Sequence, residues 1–210
     1  MSDPNVMFLK FEFENTRGLE LLSDFHNDVP IRHEIHQAIG SAIKRTGTYV
    51  NKHIARLIMD ESYLKAGYIK KNLRLSVKGS HYDNYIFAII RASGDPIPAH
   101  KFKLVPNRVT TRKQMQSKSW PAPSYKIGPK DKLRSGIEPG YSKPWIGLTS
   151  EGKKAMYHRQ NGSSHRSYVV GPRINYFASF DRIFFHAFDG AQEVFEKRLE
   201  HEIDYRLKLS

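Results

Sequence analysis

The chain reads as an α+β protein: a small, mostly antiparallel sheet with a long helix from the N-terminal half packed on it, a long extended proline-rich basic arm, and a C-terminal helix. Three observations predict this. Apolar residues recur at helical spacing from Ile31 to about Met59, residues 73–78 alternate without exception, and eight of the eleven prolines crowd into residues 96–145. At 210 residues the chain suits a single domain, 1–210, with residues 106–143 as the arm or insertion.

Taken in order, residues 6–13 set Phe11 and Phe13 on one side and Lys10 and Glu12 on the other, the period of a strand. A short helix is predicted from Gly18 to Phe25. Asn27-Asp28-Val29-Pro30 then has the composition of a helix start, an Asx cap with proline in the first turn. The long helix follows, its stripe formed by Ile35, Ile39, Ile43, Val50, Ile54, Leu57 and Ile58. Gly40 and Gly47 lie one heptad apart on it, and each costs about 1 kcal/mol relative to alanine unless another element or subunit approaches closely or a bend is tolerated. They form the candidate close-packing face. Arg32, Lys44, Lys52 and Arg56 make a basic outer stripe, the usual composition of a solvated face.

A second helix is predicted over Ser62–Lys71, capped by Ser62 or Asp60. The strand 73–78 follows, with Leu73, Leu75 and Val77 against Arg74, Ser76 and Lys78. After the turn-rich stretch Gly79–Asp83, residues Tyr85–Ile90 are apolar on both faces, as in a central strand closing a hairpin. Ala99–Val105 is predicted as a third strand. Beyond the proline-rich stretch, short strands are expected at Trp145–Leu148 and Lys154–His158, a helical stretch at Ile174–Phe188, and a terminal amphipathic helix over Ala191–Leu209. That helix carries Ala191, Phe195, Leu199, Ile203 and Leu207 at four-residue spacing.

Composition narrows the function. The absence of cysteine excludes disulfides, thiolate metal sites and a cysteine nucleophile. No run is long and apolar enough to span a membrane, and Met1-Ser2-Asp3-Pro4 lacks the layout of a secretion signal, so a soluble protein made in the cytoplasm is expected. The net charge of +13 points to a polyanionic partner. Within residues 96–145, eleven Lys or Arg face only Asp131 and Glu138, which places +9 of the +13 there. Ten of these eleven basic residues are the candidate DNA or subunit contacts: Lys101, Lys103, Arg108, Arg112, Lys113, Lys118, Lys126, Lys130, Lys132 and Arg134. With Trp120, Tyr125 and Tyr141 they have the composition of a single-strand binder. For most of these side chains an arm packed on an acidic neighbouring subunit is the favoured reading. A connection of this length holds few core-type residues, which makes a subunit a natural support.

Catalytic constellations are absent from the sequence. His33-Glu34-Ile35-His36 lacks the four-residue histidine spacing of a zincin, and His81, His100, His158, His165, His186 and His201 are scattered. There is no phosphate-cradling glycine loop and no nucleophile elbow. Glu193/Glu196 and Glu200/Asp204 lie on the outer face of the last helix. No enzyme activity, metal or cofactor is expected.

The order of elements carries one resemblance. The long helix ending at Arg56, the short helix ending at Lys70-Lys71, the strand Leu73–Lys78 and Pro96-Ile97-Pro98-Ala99-His100-Lys101-Phe102 resemble the first half of the phage minor tail protein Z family. Trp145-Ile146, Gly152-Lys153-Lys154-Ala155-Met156-Tyr157-His158-Arg159 and Gly171-Pro172-Arg173-Ile174 resemble its second half, so that the likeness spans about residues 30–207. Residues 1–25 and 106–143 carry least of it. The resemblance implies a structural virion protein, made in the host cytoplasm. It would complete the head-proximal end of the tail as a hexameric ring, touching the tail tube or tail terminator protein and the head-tail connector, with DNA crossing its channel. It implies no membrane partner and no catalytic residues. The alternative on the charge alone is a basic nucleic-acid-binding module acting outside the particle.

Overall fold

The computed structural model describes residues 7–11, 28–78, 87–179 and 181–208. The predicted helix Gly18–Phe25 and the turn at Gly79–Asp83 lie outside them. The architecture is α+β, with β1 at Met7–Phe11, α1 at Val29–Glu61, α2 at Ala66–Asn72, β2 at Leu73–Lys78 and β3 at Phe87–Ala92. A 3-10 turn at Ala99–Lys101 precedes β4 (Lys103–Val105), α3 (Arg112–Gln116), β5 (Ser124–Lys126) and β6 (Arg134–Ser135). Then come β7 (Trp145–Leu148), β8 (Lys154–His158), β9 (Ser167–Tyr168), α4 (Ile174–Ala178), α5 (Asp181–His186) and α6 (Ala191–Lys208). Three small antiparallel sheets result, ordered β1-β3-β2, β4-β5-β6 and β7-β8-β9.

The cap of α1 is the predicted one: Ile31 N–H donates to Asp28 Oδ1 at 3.1 Å, and Pro30 sits in the first turn, where its missing donor costs nothing. Along the stripe Ile35, Ile43, Val50, Ile54 and Ile58 are buried, with Ile39 and Leu57 partly so. A fully buried aliphatic side chain of this size contributes about 1.5–3 kcal/mol. Ser62 ends this helix rather than starting the next. Its N–H donates to Met59 O, its Oγ donates to Ile58 O at 2.7 Å, and the same Oγ accepts from Leu64 N–H at 3.3 Å. The second helix therefore begins only at Ala66.

The helix α1 lies between the first sheet and α6. A Cβ added at Gly47 would come within 2.7 Å of Leu75 Cδ1 and 3.5 Å of Ala88 Cβ, so this glycine admits β2 and β3 of its own chain. Its neighbour Gly40 is half-buried. On α6, Ala191, Phe195, Leu199 and Ile203 are buried and Leu207 is partly so. The two helices run antiparallel: Tyr49 Oη donates to Asp189 O just before α6, Arg45 pairs with Glu202 at 2.9 Å, and Arg206 pairs with Glu34 at 3.1 Å.

Two predicted elements differ in form. Ala99–Val105 is not one strand of the first sheet, because the chain turns at Ala99–Lys101 and only Lys103–Val105 pairs, with β5. The third strand of the first sheet is β1 instead. The stretch Ile174–Phe188 contains two short helices, the first ending where Ser179 donates its N–H to Asn175 O and its Oγ to Tyr176 O.

The proline-rich segment is mostly extended and is pinned to its own chain. Ile127 is fully buried, Tyr125 stacks on Phe102, and Tyr63 N–H donates to Ile127 O at 2.8 Å. Gly128 passes so close to the backbone of Glu61 that a methyl group there would collide with the carbonyl. The supports of this segment thus include the C-terminal end of α1 and the core around Phe102.

Candidate functional site

The ten candidate basic residues do not converge on one point. Lys103 and Lys126 face each other directly across β4 and β5, a like-charge pair; Lys103 lies over the Tyr63 ring at 5.7 Å and Lys126 donates to Pro129 O at 2.6 Å. Lys130 and Lys132 are exposed on the turn beyond, while Lys101 sits where its charge acts on Glu151. Arg134 donates to Tyr176 Oη at 3.2 Å with its guanidinium 5.8 Å from that ring. Arg108 lies over the Trp120 ring at 5.0 Å, and Arg112, Lys113 and Lys118 stand exposed on α3 and the turn after it. Of the three aromatics grouped with them, Tyr125 is a core residue, Tyr141 stacks on buried His158 at 4.1 Å, and Trp120 is half-buried.

What the fold does bring together is built on the third sheet. Strand pairing places Trp145 opposite Tyr157 and Tyr157 opposite Tyr168, so three rings lie abreast across β7, β8 and β9, with centroids 6.0 and 5.1 Å apart. His100 extends the row, 5.2 Å from Tyr168. The alternate residues Ile146 and Met156 face inward and are fully buried. Two residues beyond Tyr157 and two before Tyr168, on the same face, stand Arg159 and Arg166. Arg159 lies 5.2 Å over Trp145 and Arg166 lies 4.7 Å over Tyr157.

Between this face and the proline-rich segment is a cleft of about 380 Å³. Thr110, Gln114, Met115, Trp120, Lys143, Trp145, Arg159 and Arg166 are among its lining, so both tryptophans of the chain border it. Its walls are joined by Thr110 N–H to Ile146 O at 2.8 Å and by Ile146 N–H to Thr110 Oγ1 at 3.0 Å. Arg159 N–H donates to Ser142 Oγ at 3.1 Å on the same rim. Lys143 donates to the carbonyls of Ser117 and Trp120, which holds the loop after α3 over the cleft.

The electrostatics are one-sided. Lys143, Arg159 and Arg166 supply charge, and no lining residue is a carboxylate. The indole Nε1 of Trp120 is buried without a hydrogen-bond partner. Burial raises the Tyr157 hydroxyl above the ordinary phenol range, its hydrogen bond and charge interaction with Tyr168 add to this, and Arg166 opposes it. Burial, then the charge of Lys101, pushes the His100 imidazole below its usual range. The lining offers ring faces, cations and hydrogen-bond donors.

Sequence reasoning missed Lys143, Trp145, Arg159 and Arg166 as a group. The available signal was the spacing of two in Tyr157-His158-Arg159 and Arg166-Ser167-Tyr168, which puts each arginine on the face of its tyrosine. Elsewhere, His33 meets Gln37 and Glu34 meets Arg206, structural roles for the histidine-glutamate cluster. Among the described residues no group of three His, Asp or Glu side chains converges to hold a metal ion, and no helix is long and apolar enough to cross a membrane. Comparison with family models, curated proteins and solved structures finds no match.

Proposed function

We propose that this chain is a structural protein of a tailed phage, completing the head-proximal end of the tail and joining the tail tube to the head connector as a ring around the DNA channel. The observation that carries the reading is the way its two halves interlock. The segments that resemble the tail-protein family in either half are hydrogen-bonded to each other: Gly171 N–H donates to Ile97 O at 2.7 Å, Ile97 N–H to Pro172 O at 3.2 Å, and Ala99 N–H to Val169 O at 2.7 Å. Pieces that resemble one family in series thus close one unit in space, which is what a shared fold requires.

The surface supplies a second support. The two-residue strand β6 pairs with β5 on one side and is flanked by exposed Leu133 and Ile137, 56% and 59% accessible, apolar surface of the kind a neighbouring subunit covers. Partners are further copies of the chain, hexameric by the resemblance, the tail tube or terminator protein, and the connector; the chain acts by assembly, without catalysis or cofactor. Negative-stain imaging and mass measurement of the purified chain test this. Rings of several copies are expected, and a strict monomer missing from tail particles contradicts it.

A second reading is favoured by the carboxylate-free cleft: a basic nucleic-acid-binding module acting outside the particle. Such a module keeps sub-micromolar DNA affinity at physiological salt and loses it steeply as salt rises. A purely structural subunit need not bind DNA in free solution.

A further inference from the structure

We infer that the cleft between Trp120 and Trp145 is a binding site for single-stranded nucleic acid, seating one base against the indoles with the flanking phosphates on Arg159 and Arg166. This concerns one site and one ligand class, so it stands or falls separately from whether the chain assembles into a ring.

Four observations converge on it. First, the cleft volume of about 380 Å³ falls in the range of about 300–1,000 Å³ typical of sites for small ligands or ligand groups. Second, its charge is positive, with Lys143, Arg159 and Arg166 in the lining and no carboxylate to neutralise them. Arg159 and Arg166 are both exposed, and each guanidinium lies over a ring instead of an acid. Third, both indoles of the chain border the same space, one from the proline-rich segment and one from β7. Fourth, the Trp120 Nε1 donor is buried with no hydrogen-bond partner among the described residues.

Cations alone would suit any anion, so the rings decide the class. An acidic peptide is satisfied by ammonium and guanidinium groups and gains little from two indoles. A nucleic acid strand needs both, since its phosphates follow the positive charge while a base stacks on an aromatic or guanidinium plane. A duplex hides its base faces in its own stack, and its backbone alone would leave the indoles unused. A single strand meets every feature of the lining.

The test uses the full chain and its own fluorescence, because its two tryptophans both border the cleft. Emission is followed while a short oligothymidylate is added at about 50 mM and about 200 mM salt, beside a duplex of equal length and a polyglutamate peptide. Quenching by the single strand is expected, with duplex affinity at least about tenfold weaker, since each stacked base contributes about 1–3 kcal/mol. Replacing both Arg159 and Arg166 by alanine should weaken single-strand binding about tenfold or more and reduce the slope of log affinity against log salt by about 1.4, roughly 0.7 for each lost phosphate contact. Trp120→Leu keeps the charge and should still weaken binding about fivefold or more. The inference is overturned if single strand and duplex bind alike with unchanged emission, if polyglutamate quenches and displaces the oligonucleotide equally well, or if Trp120→Leu binds like the parent chain.

Discussion

The helical side of the molecule and the proline-rich side are closed by different means. Between α1, α6 and the first sheet, aliphatic side chains at regular spacing fill the space, and the buried carboxylate of Glu202 is paired with Arg45 and Arg206. Across residues 96–173 a few apolar plugs do that work: Ile97, Phe102, Tyr125, Ile127, Ile146, Met156 and Tyr157 are buried, while exposed guanidinium groups lie over the rings of Trp120, Trp145 and Tyr157. The first arrangement specifies a scaffold. The second leaves cations and indole faces at the surface, and it carries most of the chain's excess charge.

If the proline-rich side is as much a part of the fold as the helical side, removing a plug from either should cost about the same. Ile54→Ala in α1 and Ile127→Ala in the proline-rich segment both empty a fully buried site, and each is expected to lower the unfolding free energy by about 3–4 kcal/mol in a single transition. Chemical denaturation followed by circular dichroism reads this. An unchanged midpoint for Ile127→Ala would make the segment an appendage. Gly128→Ala sharpens the same comparison from the other side, because the added methyl meets the backbone of Glu61, which must shift to admit it. A loss of about 3 kcal/mol is expected in the same experiment.

A smaller effect should come from the helical side. Arg206 reaches Glu34, Gln37, Ser41 and Glu202, but Arg45 also serves Glu202. Arg206→Met should therefore cost about 1–2 kcal/mol, less than an isolated buried carboxylate would, in thermal melts at neutral pH. The smallest is a pH effect at the aromatic row. Burial holds His100 below its ordinary value of 6.5, so the unfolded chain takes up this proton first as pH falls. The contribution of the neutral ring is complete above about 6.5 and declines as the pH drops from there towards the lowered folded value. His100→Gln should flatten the loss of stability below that pH, and an unaltered pH profile would show that the ring is protonated with equal ease in both states.

The scaffold was legible because its signals are periodic and local. The stripe from Ile35 to Ile58, the alternation of 73–78 and the four-residue spacing from Ala191 to Leu207 each depend on one element alone. The proline-rich side was less so. Strands β5 and β6 are three and two residues long, too short for a pattern of their own, and exist because β4 offers its edge to β5 and β5 offers its edge to β6. Tyr125 reads as a surface aromatic among lysines, yet its ring is drawn into the core by Phe102. The cleft depends on register: Trp145 meets Tyr157, and Arg159 and Arg166 reach one face, only once β7, β8 and β9 are paired. The concentration of positive charge in one segment was visible at once, but its direction was not, since two of the cleft's three cations, Arg159 and Arg166, come from beyond residue 145.

The most direct test of the proposed assembly role is to look for the chain in phage particles purified from cells that make it, with an antibody to the chain coupled to gold and viewed by electron microscopy. The account predicts label confined to the head-proximal end of the tail, together with full heads and unjoined tails when the chain is deleted. Label absent from particles, with intact particles formed without the chain, would contradict it.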